Sequence, residues 1–336
     1  MTAALDSFPR IELASLPTPL QYCQRLTDHL GGPRLLIKRD DLTGLGGGGN
    51  KVRKLEFVLA DAVASGADTL VMSGVIQSNA LRQAAAAAAA CGLDFHAIVI
   101  TDRVPRDDPE YRTGGNALLT DLFGAVVHPC SVHDDREAVA ADVGDHLRAA
   151  GKHPYVVPYG ASTDLGALGY VAAAQEIAQQ IGGETLDAIV HASGTGGTQA
   201  GLVVGSTRYL PGTHVVGIDI DAAPRRVASD VGRIAEELGD RLEWDELYAE
   251  FVEVVAGYAG PAYGSPTAEM LEAVTMFARL EGVILDPVYS GKGAAGLIGL
   301  IRRGRFTTGE TVVFLHTGGS PGLFAYRDVI RAHLGA

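Results

Sequence analysis

Residues 46–54 read Gly-Gly-Gly-Gly-Asn-Lys-Val-Arg-Lys, and this segment constrains the fold and chemistry of the chain more than any other. Glycine lets a backbone approach a ligand closely and adopt positive φ angles. Asn50 is a favourable helix N-cap, and the apolar pattern after it predicts a helix that begins at Lys51. An amine in the first turn of a helix lies near the positive end of the helix dipole, which favours its neutral, nucleophilic form.

Two interpretations of Lys51 are open at this point. A neutral lysine can form a Schiff base with a carbonyl compound or with pyridoxal phosphate. A lysine that follows a flexible glycine loop is equally well an ordinary surface residue. The segment alone does not separate the two, so the rest of the chain has to decide.

The composition excludes several classes of protein. The chain has 336 residues, enough for two domains, and its formal net charge of −13 argues against nonspecific nucleic-acid binding. It shows no apolar run long enough to span a membrane, and its first ten residues show neither the basic nor the apolar region expected of a signal peptide. Cys23, Cys91 and Cys130 are too far apart for a disulfide framework or a cysteine zinc site. We therefore expect a cytoplasmic protein without nucleic-acid, membrane or metal partners.

Short β-branched runs alternate with longer helical patterns along the chain. This alternation predicts βαβ units with parallel sheets, whose ligands bind in the loops beyond the carboxyl ends of the strands. The predicted strands are 35–38, 69–73, 96–100, 126–128, 155–157, 188–192, 214–218 and 312–316. The predicted helices include 51–65, 79–91, 134–150, 165–181, 197–209, 268–281, 292–302 and 322–334.

A second glycine loop, residues 192–198, follows an apolar strand and opens a helix. Its sequence, Ala-Ser-Gly-Thr-Gly-Gly-Thr, offers backbone N–H groups and hydroxyls that can hold a phosphate. A dinucleotide fingerprint is excluded by Gln199, and a Walker A loop is excluded by Leu202 and Val203. The loop is interpreted as a phosphate cup, with a tight packing turn as the alternative.

Three further loops carry polar side chains, and two of them, at 74–79 and 317–320, follow predicted strands. Gln77, Ser78 and Asn79 suit recognition of a substrate carboxylate, although a helix cap explains Ser78 or Asn79 equally well. Tyr289 precedes a helix with Ser290 as its expected cap, and is either a packing residue or a proton donor. Thr317 is placed to bond a ring nitrogen. The sequence contains no HExxH metal motif.

With these loops in place, the chain resembles the pyridoxal-phosphate family of D-cysteine desulfhydrase and 1-aminocyclopropane-1-carboxylate deaminase. The resemblance extends from about residue 16 to 326 and implies a tryptophan synthase β-like fold, normally homodimeric. It implies a large cofactor-binding domain, 1–56 with 165–336, and a small substrate-side domain, 57–164. It rests on eight ordered motifs: Leu-Pro-Thr-Pro-Leu at 16–20, Lys-Arg-Asp-Asp at 38–41, Gly-Gly-Asn-Lys at 48–51, Ile-Gln-Ser-Asn at 76–79, Asp-Leu-Phe-Gly-Ala at 121–125, Gly-Thr-Gly-Gly-Thr at 194–198, Asp-Pro-Val-Tyr at 286–289 and His-Thr-Gly-Gly at 316–319.

The resemblance also implies roles for individual residues. Lys51, Ser78 and Tyr289 would be catalytic, with Lys51 as the Schiff-base lysine. The substrate would meet Gln77, Ser78, Asn79, Tyr263 and Tyr289. The cofactor would be held by Asn79 at its 3′-oxygen and Thr317 at its pyridine nitrogen, and its phosphate by Lys54, Ser193, Gly194, Thr195, Gly196, Gly197 and Thr198.

Two departures bear on the substrate. The cyclopropane deaminases have Glu directly after the tyrosine equivalent to Tyr289, whereas this chain has Ser290 and offers Thr317 to the pyridine nitrogen. A hydroxyl stabilises a protonated ring less than a carboxylate does, which favours β-elimination of a good leaving group. The family usually has His where this chain has Ala80, followed by Leu81. Loss of that imidazole predicts an altered substrate preference.

The expected function is a pyridoxal-phosphate-dependent lyase that acts on a small amino acid. D-cysteine or a related β-substituted alanine would undergo β-elimination to pyruvate and ammonia. The alternatives within the family are a 1-aminocyclopropane-1-carboxylate deaminase, a cysteate sulfo-lyase and a β-replacement or cyclising synthase. An alternative from another class is a non-catalytic protein that binds pyridoxal phosphate.

Overall fold

The computed structural model describes residues 5–335 and contains two sheets flanked by helices. Ten strands occur in these residues: β1 (Leu20–Tyr22), β2 (Arg34–Arg39), β3 (Thr69–Val75), β4 (Asp94–Ile100), β5 (Val126–Cys130), β6 (Pro154–Val157), β7 (Ala188–Ser193), β8 (His214–Asp219), β9 (Glu253–Val255) and β10 (Thr311–His316). Most of them alternate with helices along the chain, as expected for βαβ units.

Thirteen α-helices occur in the same residues, together with short 3₁₀ turns. They are α1 (Gln24–Leu30), α2 (Lys51–Ala64), α3 (Asn79–Ala90), α4 (Pro109–Thr113), α5 (Gly115–Leu122), α6 (Arg136–Ala149), α7 (Asp164–Ile181), α8 (Gly197–Tyr209), α9 (Pro224–Leu242), α10 (Ala268–Glu281), α11 (Ser290–Arg302), α12 (Ser320–Phe324) and α13 (Arg327–Leu334).

The larger sheet has the strand order β1-β2-β10-β7-β8-β9, and the smaller has the order β5-β4-β3-β6. Every pairing is parallel except that of β1 with β2. Strand β10 is central, with Phe314 opposite Ile37 of β2 on one side and Val190 of β7 on the other. Strands β3, β7 and β10 are buried along their whole length, since helices cover both faces, and they therefore read as continuous apolar runs.

All eight predicted strands are present, but several other elements were not predicted. These are β1, β9, α1, α4, α5 and α9. Strands β1 and β9 have only three residues each, too few to show a hydrophobic period. Helix α9 does show one, because Val227, Val231, Ile234 and Leu238 are buried at helical spacing among charged residues. The predicted helix 322–334 is two helices, α12 and α13, separated at Ala325 and Tyr326.

A buried charge network fixes helix α2 to the larger sheet. The guanidinium of Arg53, which is 1% exposed, donates to both carboxylate oxygens of Asp40 at 2.8 and 2.9 Å and to Glu176 at 3.0 Å. Lys38 also pairs with Glu176, and the Tyr170 hydroxyl donates to Asp40 at 2.6 Å. Buried charges are tolerated only when they are paired in this way. The network holds α2, and with it Lys51, in one position.

Candidate active site

The main candidate site is a cavity between the two sheets, at the carboxyl ends of β3, β7 and β10. This is where ligands bind in parallel α/β folds. Ten of the residues predicted for the site line it: Lys51, Ser78, Asn79, Ser193, Gly194, Thr195, Gly196, Thr198, Tyr289 and Thr317. The other residues that line it are Asn50, Ala80, Tyr159, Gly160, Ala192 and Gln199. Four predicted residues, Lys54, Gln77, Gly197 and Tyr263, lie next to this lining rather than in it.

Helix α2 begins at Lys51 as predicted, but Asn50 does not cap it. The Asn50 amide donates to the Thr198 hydroxyl at 3.0 Å, which joins the two glycine loops. The cap comes instead from Gln83 on α3, whose Oε1 accepts from the backbone N–H groups of Lys51 at 3.0 Å and Val52 at 3.2 Å. A side chain 32 residues away in the sequence therefore accepts the hydrogen bonds of the free backbone N–H groups in the first turn of this helix.

Arg82 of α3 stabilises the glycine loop before Lys51 by hydrogen bonds. The Arg82 guanidinium donates to the carbonyl oxygens of Gly46 and Gly48. Gly48 has φ +73°, and a Cβ at this position would lie 2.0 Å from the carbonyl oxygen of Asp41. No other residue fits there, so glycine is required by close backbone packing.

Lys51 is the one lysine of five whose side chain lines the cavity. Burial lowers its pKa to about 8, and a hydrogen bond with Lys54 partly opposes that shift. The expectation that Lys51 is partly neutral is consistent with this value, and burial is its largest cause. The pKa of Lys54 is lowered further, first by burial and then by the charge of Lys51. The Lys51 amine is therefore a far better nucleophile near neutral pH than an ordinary lysine.

We expect the apoprotein to capture pyridoxal phosphate with a pH dependence set by Lys51. A lowered pKa means that the neutral, reactive amine accumulates as the pH rises through about 8, and that little more is gained above it. The rate of capture, followed by visible absorbance, should therefore rise from pH 6 and level off. A rate that climbs without levelling to about pH 10, as for a model lysine, would show that Lys51 is not perturbed.

The loop interpreted from the sequence as a phosphate cup lies where β7 ends and α8 begins. Its backbone N–H groups stand at the N-terminus of a 13-residue helix, an environment that favours anions. The Ser193 hydroxyl is buried, lines the cavity and has no hydrogen-bond partner within residues 5–335, as expected for a group that meets a ligand. The Thr195 hydroxyl is 2.6 Å from that of Ser162, which accepts from Lys54 at 2.9 Å.

Lys54 thus lies immediately behind the cup and not in it. Its amine also donates to the carbonyl oxygen of Gly160 at 2.9 Å. A Cβ at Gly197 would come within 2.7 Å of this amine and 2.9 Å of Cα of Ser162. The positive charge of Lys54 can act on the cup through Ser162. Because Gly197 has no side chain, the cup can pack directly against Lys54 and Ser162.

The loop after β3 combines a cap with candidate ligand groups. The Ser78 hydroxyl accepts from the backbone N–H of Leu81 at 3.1 Å, so it caps α3 and still has its own hydrogen to donate to the cavity. Asn116 donates to Oδ1 of Asn79 at 2.9 Å. Because this bond occupies the amide oxygen, the Asn79 NH₂ group is the one left for a ligand.

The side chain of Gln77 is bonded to backbone groups in this structure. Its amide donates to the carbonyl oxygens of Tyr111 at 2.6 Å and Gly114 at 2.9 Å, and accepts from the backbone N–H of Asn116 at 2.9 Å. All three partners lie on α4, α5 and the residue between them. In this structure Gln77 is a tether for these helices and does not line the cavity.

Two tyrosines meet beside the cavity. The hydroxyls of Tyr263 and Tyr289 are 2.5 Å apart, and burial raises the pKa of each well above its usual value. Both therefore stay protonated near neutral pH and act as donors rather than bases. Ser290 does not cap α11. It donates to Asp286, whose carboxylate accepts from the backbone N–H groups of Val288, Tyr289 and Ser290 and so shapes the turn.

Two hydroxyl residues, Ser290 and Thr317, were compared from the sequence as neighbours of the pyridine nitrogen. Of these two, Thr317 lines the cavity and Ser290 does not. The carbonyl oxygen of Thr317 accepts from the backbone N–H of Asn50 at 3.0 Å, which brings the loop after β10 against the start of α2. Ser290 is 1% exposed, and its hydroxyl is held by Asp286 and by the carbonyl oxygen of Gly318. This arrangement is compatible with a hydroxyl partner for the ring nitrogen.

Several residues of the site were missed by sequence reasoning. Tyr159 and Gly160 line the cavity from the turn after β6, and Gln83 and Asn116 position Lys51 and Asn79 from behind. Gln83 and Asn116 act over 32 and 37 residues of chain, a pairing that no local pattern reveals. Tyr159 follows a predicted strand, so its position beyond a strand end was a usable signal.

Fold and cavity together are typical of a cofactor-dependent α/β enzyme, and one lysine, Lys51, lines the cavity. The model of the pyridoxal-phosphate dependent enzyme family matches residues 11–318, and the chain belongs to this family. It is 45% identical over 329 residues to a D-cysteine desulfhydrase of Serratia proteamaculans, which covers 97% of this chain and 98% of that protein. It is similar to the crystal structure of an ACC deaminase homologue, with 36% identity, a TM-score of 0.89, and coverage of 98% and 97% of the two chains. These matches confirm the tryptophan synthase β-like fold.

The residues present fit pyridoxal phosphate. A single lysine with a lowered pKa lines the cavity for the aldehyde, an unpartnered serine and a helix N-terminus form the cup for the phosphate, and an amide and a hydroxyl remain for the ring. Among residues 5–335, no cluster of three or more metal-ligating side chains was found. No helix in this part of the chain is long and apolar enough to cross a membrane.

Proposed function

We propose that the protein catalyses β-elimination from a small β-substituted amino acid, with D-cysteine as the leading substrate and pyruvate and ammonia as products. The observation that carries the proposal is a single cavity that brings together Lys51, the phosphate cup and Tyr289. The 45% identity to a protein named D-cysteine desulfhydrase supports the same reaction. A protein that only binds the cofactor would need the lysine and the cup, but not the tyrosine pair.

In the proposed reaction, the side chains that line or adjoin the cavity have different roles. Bound pyridoxal phosphate supplies an electron sink for the electrons left when the Cα proton departs. Lys51, with its pKa lowered to about 8, can hold that proton. Ser78 and Asn79 offer a hydroxyl and an amide at the N-terminus of α3, where the substrate carboxylate is favoured. The Tyr263–Tyr289 pair can donate a hydrogen bond to the departing β-group.

Thr317, the residue that would face the ring nitrogen, would favour elimination over ring opening. Thr317 can donate or accept one hydrogen bond, but it cannot balance the positive charge of a protonated ring as a carboxylate would. The electron sink is then moderate, which suits substrates that lose a good leaving group such as a thiolate. The cyclopropane substrate of the deaminases has no such group.

The proposal is tested by release of pyruvate and ammonia from a panel of amino acids. The panel contains both enantiomers of cysteine, β-chloroalanine, cysteate, diaminopropionate and aminocyclopropane carboxylate. We expect equimolar pyruvate and ammonia from one or more β-substituted alanines. Release of 2-oxobutanoate from the cyclopropane substrate alone would instead assign a deaminase. Absence of turnover on the whole panel, with cofactor bound, would favour a non-catalytic protein or a synthase.

Ala80 is expected to weaken activity on D-cysteine. It lines the cavity directly after Asn79, where the family usually has His, and a methyl group can neither donate a hydrogen bond nor carry a proton. We predict that Ala80→His raises kcat/KM for D-cysteine from a low value. Ala80→Ser is the control for size. A wild-type kcat/KM at the enzyme-typical level of about 10⁴ M⁻¹s⁻¹ or above, unimproved by Ala80→His, would contradict the prediction.

We further propose that the protein is a cytoplasmic homodimer, as the resemblance implies. Large apolar side chains remain exposed on α5 and on the edge strand β5, including Leu118, Leu122, Val126 and Val127. Such a patch is typical of a protein interface.

The three cysteines are all unpaired, in keeping with a reducing compartment. Light scattering of the purified protein would test the dimer, and Leu122→Glu should weaken it if this patch is buried there.

A further inference from the structure

Tyr159 lies at the boundary between the active-site cavity and a second, outer cavity of about 340 Å³. Four residues line both cavities: Tyr159, Gly194, Thr195 and Tyr289. Gly194 has no side chain, and Thr195 belongs to the phosphate cup, where its hydroxyl is 2.6 Å from that of Ser162. The two tyrosines are therefore the large side chains at this boundary.

The ring of Tyr159 is supported by a neighbouring helix. The guanidinium carbon of Arg136, the first residue of α6, lies 4.4 Å from the ring centre. A guanidinium group at this distance is attracted to the face of an aromatic ring. Rotation of the Tyr159 side chain away from the boundary would break this contact, so the ring favours its present position.

The backbone that carries Tyr159 is also fixed. A Cβ at Gly160 would lie 2.8 Å from Oγ1 of Thr195, and the carbonyl oxygen of Gly160 accepts from Lys54 at 2.9 Å. Ala161 is fully buried and has φ +48°, a conformation that a residue with a side chain keeps only where its surroundings enforce it. Movement of this turn would break its contacts with Thr195 and Lys54, so Tyr159 cannot easily withdraw.

The position of Tyr289 places the β-substituent of the substrate at the same boundary. In the proposed reaction the Tyr263–Tyr289 pair donates a hydrogen bond to the departing β-group, which must therefore lie next to these hydroxyls. Tyr159 is the other large side chain that lines both cavities there. The β-substituent consequently meets the ring of Tyr159 on the side of the outer cavity.

From this geometry we propose that Tyr159 determines substrate specificity by limiting the β-substituent to a small group such as a thiol or a chloride. The inference rests on the proposed function and adds a specificity residue to it. Beyond the ring, the outer cavity of about 340 Å³ has room for a much larger group. Without the ring the two cavities would be continuous, so it is the side chain of Tyr159 that sets the limit on size.

The test compares β-chloroalanine, whose β-substituent is small, with S-benzylcysteine, whose β-substituent is bulky. Both substituents are neutral, and both enantiomers of each compound are used. With S-benzylcysteine the reaction balances without an oxidant or reductant. The Cβ–S bond breaks, sulfur leaves with the bonding electrons and takes up a proton as a thiol, and the unsaturated amine that remains takes up one water to give pyruvate and ammonia.

In the cofactor-loaded enzyme, Tyr159→Ala should raise the ratio of kcat/KM for S-benzylcysteine to that for β-chloroalanine by at least about tenfold. The dissociation constant of S-benzylcysteine, measured from the change in visible absorbance on binding, should fall as well. Tyr159→Phe keeps the ring and should keep the wild-type ratio. Tyr159→Leu should give a smaller increase, and it tests the inference if Tyr159→Ala does not fold.

Tyr22→Ala is the matched control. The guanidinium carbon of Arg34 lies 5.6 Å from the ring centre of Tyr22, but this tyrosine is on β1 and lines neither cavity. The substitution removes the same kind of arginine-supported ring and should leave the ratio unchanged.

Three results would overturn the inference and leave the proposed function intact. The first is an unchanged ratio in Tyr159→Ala and Tyr159→Leu. The second is a wild-type enzyme that accepts S-benzylcysteine as readily as β-chloroalanine. The third is an equal increase in Tyr159→Phe and Tyr159→Ala, which would assign the effect to the hydroxyl. Absence of turnover on every amino acid, with cofactor bound, would contradict the proposed function and this inference with it.

Discussion

Lys51→Ala is expected to abolish the visible absorption of the bound cofactor and to lower turnover by roughly 10³-fold or more, since it removes both the anchor and the proton carrier. Lys51 is the one lysine whose side chain lines the active-site cavity. The others are occupied elsewhere: Lys38 by Glu176, Lys54 by Gly160 and Ser162, Lys152 by Asp94, and Lys292 by the carbonyl oxygen of Ala259. Absorbance spectra and pyruvate release would measure both effects.

The appropriate control is Lys152→Ala, which removes a surface lysine and should change neither the spectrum nor the activity. Lys54 is the residue that could replace Lys51, because the two amines interact closely enough to shift each other's pKa, and burial lowers the pKa of Lys54 as well. A Lys51→Ala protein that keeps a borohydride-reducible cofactor would show that another lysine is the anchor.

The second large effect is expected at the phosphate cup. Replacing Gly197 with valine should weaken pyridoxal-phosphate binding by at least about tenfold, because even the first added carbon would lie 2.7 Å from the Lys54 amine and 2.9 Å from Cα of Ser162. The cup would have to open or Lys54 would have to move. Equilibrium titration of the apoprotein with the cofactor would measure the loss.

A matched pair of substitutions separates the cup from a general helix effect. Gly232 lies inside α9, and a Cβ there would meet nothing closer than 3.7 Å. Gly232→Ala should therefore bind the cofactor like the wild type, whereas Gly197→Ala should already bind it more weakly. Circular dichroism would confirm that both proteins are folded. Unchanged affinity in a folded Gly197→Val protein would move the phosphate site elsewhere.

The sequence predicted the framework of the site because its signals are local. Buried parallel strands such as β3, β7 and β10 read as apolar runs, and the polar loops that follow them contain Ser78, Ser193 and Thr317, all of which line the cavity. Glycines in a loop before a helix also mark close backbone approach, as Gly48 shows with its positive φ. The strands and the glycine loop could be predicted because the residues that form the sequence pattern also form the structural element.

What the sequence could not predict are contacts between distant segments. Asn50 has the chemistry of a cap, yet it bonds Thr198 while Gln83 caps the helix, because the folded chain brings α3 under the glycine loop. Gln77 has the chemistry of a substrate ligand, yet α4 and α5 occupy its amide. A polar side chain shows which bonds it can make, and the tertiary structure decides which of them it makes.

The electrostatics of Lys51 make the same point. Its place in the first turn of α2 suggested a dipole effect, but burial dominates its lowered pKa. Burial depends on helices and loops from both sheets that close around the amine, and these are not visible in residues 46–54.

The central claim, that Lys51 anchors pyridoxal phosphate in this cavity, is tested most directly by locating the cofactor on the chain. The wild-type protein is loaded with pyridoxal phosphate, reduced with borohydride, digested and sequenced by mass spectrometry. The account predicts one phosphopyridoxyl group per chain, on Lys51. Stoichiometric label on Lys54, Lys292 or a surface lysine, with Lys51 unmodified, would contradict it.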